Sequence, residues 1–133
     1  MCGRSSDEAF VKIRAIHKHL WTMSTSLYEA LKGVSEAGGT LWDNTLVVHW
    51  NELGQGDSHS ENDALVVLAG GAAGHFNRGR YLDFQNKLTM ADMLVSCFHY
   101  MGFNDVLKFG DDRLNDGAPL PGLQQVQHAA PVQ

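Results

Sequence analysis

The sequence predicts an α/β protein, a partial αβα sandwich in which a long helix, two buried strands, a second helix and a C-terminal loop follow one another. Two short runs rich in Val and Leu, 45–50 and 64–69, predict the strands, since continuous apolar runs of this length are typical of strands buried on both faces. Apolar residues that recur at three- and four-residue steps predict the helices. This element order predicts one α/β domain, or the C-terminal part of a larger one, over residues 1–123. Residues 124–133 form a polar tail that we expect to be disordered.

The first helix has a recognisable start and end. Residues 5–8, Ser-Ser-Asp-Glu, are typical of a capping box, and Lys32 followed by Gly33 is typical of a helix terminus. The apolar residues between them fall on one stripe of the predicted helix: Phe10, Ile13, Ile16, Leu20, Leu27, Leu31 and Val34. Residues 35–40 then form a connection, and Asp43-Asn44 a turn into the first strand.

The second helix follows a glycine-rich stretch, 70–74, where the backbone must approach something closely or turn sharply. Residues 75–84 fit either a short edge strand or an irregular segment. Thr89 with Asp92 predicts the helix start, and Gly102 its end. We expect residues 103–123 to form a surface loop. The expected buried face of the helix consists of Met90, Met93, Leu94, Cys97, Phe98 and Met101.

Charge and composition limit the class of partner. The chain has 133 residues and a formal net charge of −5, which argues against nucleic acids and anionic membranes, because both are usually met by an excess of Lys and Arg. No stretch approaches the ~20 continuous apolar residues of a membrane-spanning helix, and residues 1–14 lack the apolar centre of a secretory signal. We interpret Cys2 and Cys97 as free thiols.

The polar segment 51–63, between the two predicted strands, is the candidate site. Ligands of open α/β sheets gather beyond the carboxyl ends of strands, so amide, carboxylate and imidazole groups directly after Trp50 are placed for chemistry. Glu52 and His59 offer an oxygen and a nitrogen suited to a divalent metal, with Gly54 and Gly56 beside them for close approach. The alternative is a solvated polar loop with no ligand.

We expect structural or surface roles for the other histidines. His49 lies within an apolar strand, where a histidine is more often a hydrogen-bonded core or interface residue than a metal ligand. His17 and His19 lie two residues apart on a helix and therefore face different directions. We interpret them as a surface pair and not as a site. For His75, after the glycine run, an exposed loop position is favoured over one pointing to the strand-end crevice.

Two strands with both faces buried need neighbours on either edge, which this chain hardly supplies. The pattern is therefore typical of a part of a larger α/β protein, or of a chain that must associate to cover its edges.

Seven short motifs follow one another along the chain. They are 41–48 (LWDNTLVV), 51–54 (NELG), 58–60 (SHS), 68–71 (LAGG), 79–82 (GRYL), 109–111 (FGD) and 119–123 (PLPGL). This ordered series resembles the carboxyl-terminal part of a known bacterial family of exported proteins. The family is a domain of unknown function grouped by similarity with the alkaline phosphatase and sulfatase superfamily, and the resemblance extends from the first helix to Leu123.

The resemblance implies an αβα sandwich in which zinc, calcium or manganese activates a nucleophile against small anionic phosphate or sulfate esters. It implies Glu52 and His59 as metal ligands, with Asn51 and Asp57 as lesser candidates; Asn51-Glu52 stands where the superfamily has an Asp-His pair. The nucleophile belongs to an amino-terminal portion that this sequence lacks, so we expect the chain to be inactive alone. The resemblance implies a periplasmic or extracellular location. The alternative function is a non-catalytic interaction or assembly domain, whose exposed strand edges a partner or copies of the chain itself would cover.

Overall fold

A computed structural model describes residues 8–36, 38–114 and 117–124 of the chain. The chain divides into two compact units, Met1–Gly70 and Gly71–Gln133, which we describe separately as unit 1 and unit 2. Mixed helices and small sheets confirm the α/β class in general terms. Along these described ranges, no helix combines the length and the apolar character needed to cross a bilayer. The tail predicted to be disordered lies outside the described residues, except for Gln124.

Helix α1, Glu8–Lys32, opens unit 1 and ends where the sequence predicts. The Gly33 amide donates hydrogen bonds to the carbonyl oxygens of Glu29 and Ala30 (3.0 and 3.2 Å), which closes the last turn. Residues 5–7 of the expected capping box lie outside the described residues. The helix is correctly predicted, but no residue of α1 is fully buried, and every residue of the predicted stripe except Leu31 is exposed.

The connection after α1 contains more regular structure than the sequence indicates. Strands β1, Ser35–Glu36, and β2, Gly39–Thr40, pair antiparallel, and the predicted turn is a short helix, α2, Leu41–Asn44. Asp43 Oδ2 accepts hydrogen bonds from the backbone amide and the hydroxyl of Thr40 (2.9 and 2.8 Å). This capping interaction stabilises a helix where the Asp-Asn pair alone indicates only a turn.

The two predicted strands are present but short and only half-buried. Strands β3, Val47–Trp50, and β4, Val66–Ala69, pair antiparallel, with Val47 opposite Ala69 and Trp50 opposite Val66. The expectation of burial on both faces is wrong, since no residue of β3 or β4 is fully buried and Trp50 is exposed. No described residue of unit 1 is fully buried.

Unit 2 contains the buried core of the described chain. Its helix α3, Met90–Tyr100, starts at Thr89, whose amide and hydroxyl donate to Asp92 Oδ2, and ends before Gly102 at a φ of 92°. Both ends were predicted, whereas residues 75–84 are irregular. The fully buried apolar residues are Ala72, Phe76, Met93, Val95, Leu120 and Leu123.

The buried face of α3 differs from the expected one. Met93 is buried as predicted, but the other fully buried residues of the helix are Asp92, Val95 and Ser96, and Met101 is exposed. Ser96 Oγ donates to the Asp92 carbonyl (3.1 Å) and accepts a hydrogen bond from the Leu120 amide (2.8 Å). The segment predicted as a surface loop therefore contributes core residues and is attached to α3.

Candidate functional site

The candidate site is the connection between β3 and β4. Because these strands are antiparallel, the carboxyl end of β3 and the amino end of β4 lie at the same end of the sheet, and the connection joins them there. The prediction that the polar segment is a loop at a strand end is confirmed. The argument from carboxyl ends that meet at one sheet edge does not apply to this pair, since it requires parallel strands.

Hydrogen bonds across its base give this loop a defined shape. The amides of Gly54 and Gln55 both donate to the Ser60 carbonyl (2.9 and 3.2 Å), and the Ser60 amide donates back to the Gln55 carbonyl (3.1 Å). Residues 56–59 form the turn that these bonds close. His59, the last of them, has a φ of 51°, in the left-handed region that returns the chain towards Ser60.

Gly54 and Gly56 were expected to allow close approach of a ligand, and the structure gives each a different environment. A Cβ atom on Gly54 would overlap the carbonyl oxygen of Asn62, so Gly54 is needed for close approach of the loop to itself. A Cβ on Gly56 would meet open space. Neither environment indicates that a glycine here admits a ligand.

The predicted ligands are exposed side chains on this loop. Glu52, Asp57 and His59 are all exposed, and the oxygen Oδ1 of the exposed Asn51 accepts a hydrogen bond from the Leu53 amide at 3.4 Å, at the long end of the range. Within the described ranges, no group of three or more His, Cys, Asp or Glu residues is placed to hold a metal ion. That finding neither supports nor excludes a site that residues outside these ranges would complete.

His49 has the structural surroundings that its position predicts. It is half-buried, its Nε2 atom lies 2.6 Å from the hydroxyl oxygen of Tyr28, and its ring lies 5.2 Å from that of Trp21. Tyr28 in turn contacts Trp42, with ring centroids 4.9 Å apart. Burial raises the pKa of Tyr28 above its ordinary value. This aromatic cluster attaches the C-terminal half of α1 to the rest of unit 1.

In unit 2, His75 and His99 lie near each other, which the sequence does not reveal. His75 is half-buried, and its Nε2 atom is buried without a hydrogen-bond partner, so the exposed loop position expected for it is wrong. Its ring contacts those of Phe76 and Tyr100, and desolvation, with a smaller effect from nearby His99, lowers the pKa of His75. No local sequence pattern brings residues 75 and 99 together.

The environment of His99 determines its tautomer. Its Nε2 atom lies 2.9 Å from the Val106 carbonyl oxygen, which can only accept, so Nε2 carries the proton. Its Nδ1 atom can then accept from the Gln124 side-chain amide at 3.4 Å. Both ring nitrogens of His99 thereby have contacts within unit 2, whereas the buried Nε2 atom of His75 has no hydrogen-bond partner among the described residues.

Comparisons of this chain with models of known protein families, with curated protein sequences and with solved structures find no match.

Proposed function

We propose that this chain is an assembly domain, in which a second copy covers apolar surface that unit 1 leaves open. The observation that supports the proposal is that unit 1 has no fully buried residue among those described, although it contains a 25-residue helix and a sheet. A unit of about 60 residues with a closed core is already marginal in stability, and smaller cores usually need a metal, disulfides or association.

The sheet of unit 1 offers one surface for such association. Among the described residues, β3 pairs only with β4, so the outer edge of each strand has no strand beside it. An edge of this kind presents backbone amides and carbonyls to another chain. The apolar side chains of Trp50 and Leu65, 57% and 60% exposed at one end of the sheet, add surface that association would bury.

The mass of the chain in solution tests this proposal. Sedimentation equilibrium over a wide concentration range should show a mass that rises from that of one chain towards that of two. A chain that stays monomeric and well folded at the highest concentrations would exclude assembly with itself.

A second candidate function follows from the resemblance: a portion of a hydrolase-like protein whose β3–β4 loop supplies Glu52 and His59 to a zinc, calcium or manganese ion. Both side chains are exposed on a loop with a defined shape, which leaves them accessible to a metal ion. In this proposal the remaining ligands and the nucleophile come from outside the described residues. The metal would polarise a phosphate or sulfate ester, and the location would be periplasmic or extracellular.

Zinc titration of the purified chain by calorimetry tests the second candidate. His59→Ala should weaken zinc binding at least tenfold, whereas His17→Ala, which removes an equally exposed histidine from α1, should leave it unchanged. Equal affinity of the two variants, or no zinc binding by the unaltered chain, would count against a metal at this loop. Elemental analysis of the purified chain shows which metal it retains.

A further inference from the structure

The surface of α1 carries a second apolar feature, separate from the sheet edges. Five side chains follow one another at alternating steps of three and four residues, and each is between 48% and 58% exposed. We call this set the heptad seam; it consists of Ile13, Ile16, Leu20, Met23 and Leu27. Alternation of three and four is the spacing that keeps a stripe of side chains facing a neighbouring helix in a coiled coil.

The seam is distinct from the face by which α1 packs within unit 1. That inner face contains Trp21 and Tyr28, whose rings contact His49, and Lys32, whose Nζ lies 5.3 Å from the centre of the Trp42 ring. At about 100° per residue, the centre of the seam lies roughly 120° around the helix axis from the inner face. The contacts that hold α1 in unit 1 therefore leave the seam uncovered.

The residues on either side of the seam are compatible with pairing to an identical helix. Lys12, on one side, is paired with Glu8 one turn earlier (2.5 Å). The hydroxyls of Ser24 and Ser26 donate to the carbonyls of Leu20 and Thr22 (3.1 and 3.2 Å), so burial would not leave them without a partner. The flanks also carry His17 and His19, one on each side. Apart from these histidines, Lys12 with its paired Glu8 is the charge beside the seam, which is little to select an oppositely charged partner or to repel an identical helix.

The area of the seam sets the expected strength of pairing. Five half-exposed aliphatic side chains offer roughly 400 Å² per helix, so a pair of seams would bury about 800 Å². Stable complexes bury about 1,200–2,000 Å² in total, and smaller interfaces are weak or transient. The seam alone is therefore sufficient only for a weak, concentration-dependent pair.

We infer that the heptad seam of α1 is a self-association surface, on which the same helix of a second copy of this chain packs. The inference rests on the proposed assembly function and assigns it to a surface other than the strand edges. It requires α1 to present Leu20, at the middle of the seam, to the partner helix. An exposed apolar residue on another side of α1 should then be irrelevant to pairing.

Matched lysine substitutions on α1 test the inference. Leu20→Lys and Val11→Lys both replace an exposed apolar residue (53% and 55%) and add one positive charge, but Val11 lies outside the seam, roughly 160° around the helix axis from its centre. In sedimentation equilibrium, Leu20→Lys should weaken association at least tenfold and Val11→Lys less than twofold. Circular dichroism of both variants should show unchanged helix content, since neither side chain is buried.

The outcomes separate this inference from the proposed function on which it rests. An unaltered chain that is monomeric at all concentrations refutes both. An oligomer that Leu20→Lys leaves intact, or that both lysine variants weaken equally, refutes the seam and leaves association through strand edges. Selective loss of association in Leu20→Lys supports the seam.

Discussion

The contact between Ser96 and Leu120 allows a quantitative test of how unit 2 is held together. Ser96 is fully buried on α3, and its hydroxyl accepts the Leu120 amide at 2.8 Å. Ser96→Ala removes the acceptor and leaves a buried N–H group without a partner, which costs about 1–3 kcal/mol. We therefore expect Ser96→Ala to lower the free energy of unfolding of unit 2 by about that amount.

Ser26 supplies the matched control. Its hydroxyl donates to the carbonyl four residues earlier, as that of Ser96 does, with distances of 3.2 and 3.1 Å. Ser26 is exposed on α1. Ser26→Ala and Ser96→Ala therefore share the loss of a local hydrogen bond and the gain in helix propensity, which is at most about 0.5 kcal/mol. The difference between the two variants isolates the bond to Leu120.

Readouts specific to each unit make the measurement interpretable. All three tryptophans, Trp21, Trp42 and Trp50, belong to unit 1, so tryptophan fluorescence follows its unfolding. Amide hydrogen exchange in α3 and at Leu120 follows unit 2. With a urea dependence of about 1–3 kcal/mol per M, the expected loss moves the midpoint of unit 2 by roughly 1 M. If Ser96→Ala lowers the free energy of unfolding of unit 2 no more than Ser26→Ala lowers that of unit 1, the Leu120 bond contributes nothing and the reasoning is wrong.

Two further predictions concern a glycine and a histidine. Gly70→Ala should destabilise unit 1 by at least about 2 kcal/mol, because φ is 103° and the added Cβ would overlap the Thr45 carbonyl oxygen. Gly38→Ala, with a φ of 83° and open space around it, should cost only about 1 kcal/mol; equal midpoints in urea would contradict the overlap. The lowered pKa of His75 makes the unfolded chain the stronger proton acceptor, so its contribution to stability is present above the ordinary value of 6.5 and lost as pH falls through the lowered pKa. His75→Phe should therefore weaken the loss of α3 exchange protection on acidification, and an unchanged pH dependence would exclude His75 as its source.

Local sequence determined the elements whose ends depend on neighbouring residues. Gly33 ends α1, Thr89 with Asp92 starts α3 and Gly102 ends it, since capping bonds and left-handed glycines act within a few positions of the chain. The two apolar runs also predicted β3 and β4. The polar loop between them was located for the same reason, as a break in an apolar pattern.

Only the tertiary structure decided which surfaces are buried and which groups meet. The apolar stripe of α1 predicted a helix correctly but did not reveal that its side chains remain exposed, because periodicity identifies a face and not what covers it. Because β3 and β4 pair antiparallel, Glu52 and His59 lie on the connection between two paired strands and not in a crevice beyond the carboxyl ends of parallel strands. The approach of His99 to His75, and of Leu120 to Ser96, joins residues 24 positions apart in each case. Such contacts follow from packing across the core, for which no local pattern exists in the sequence.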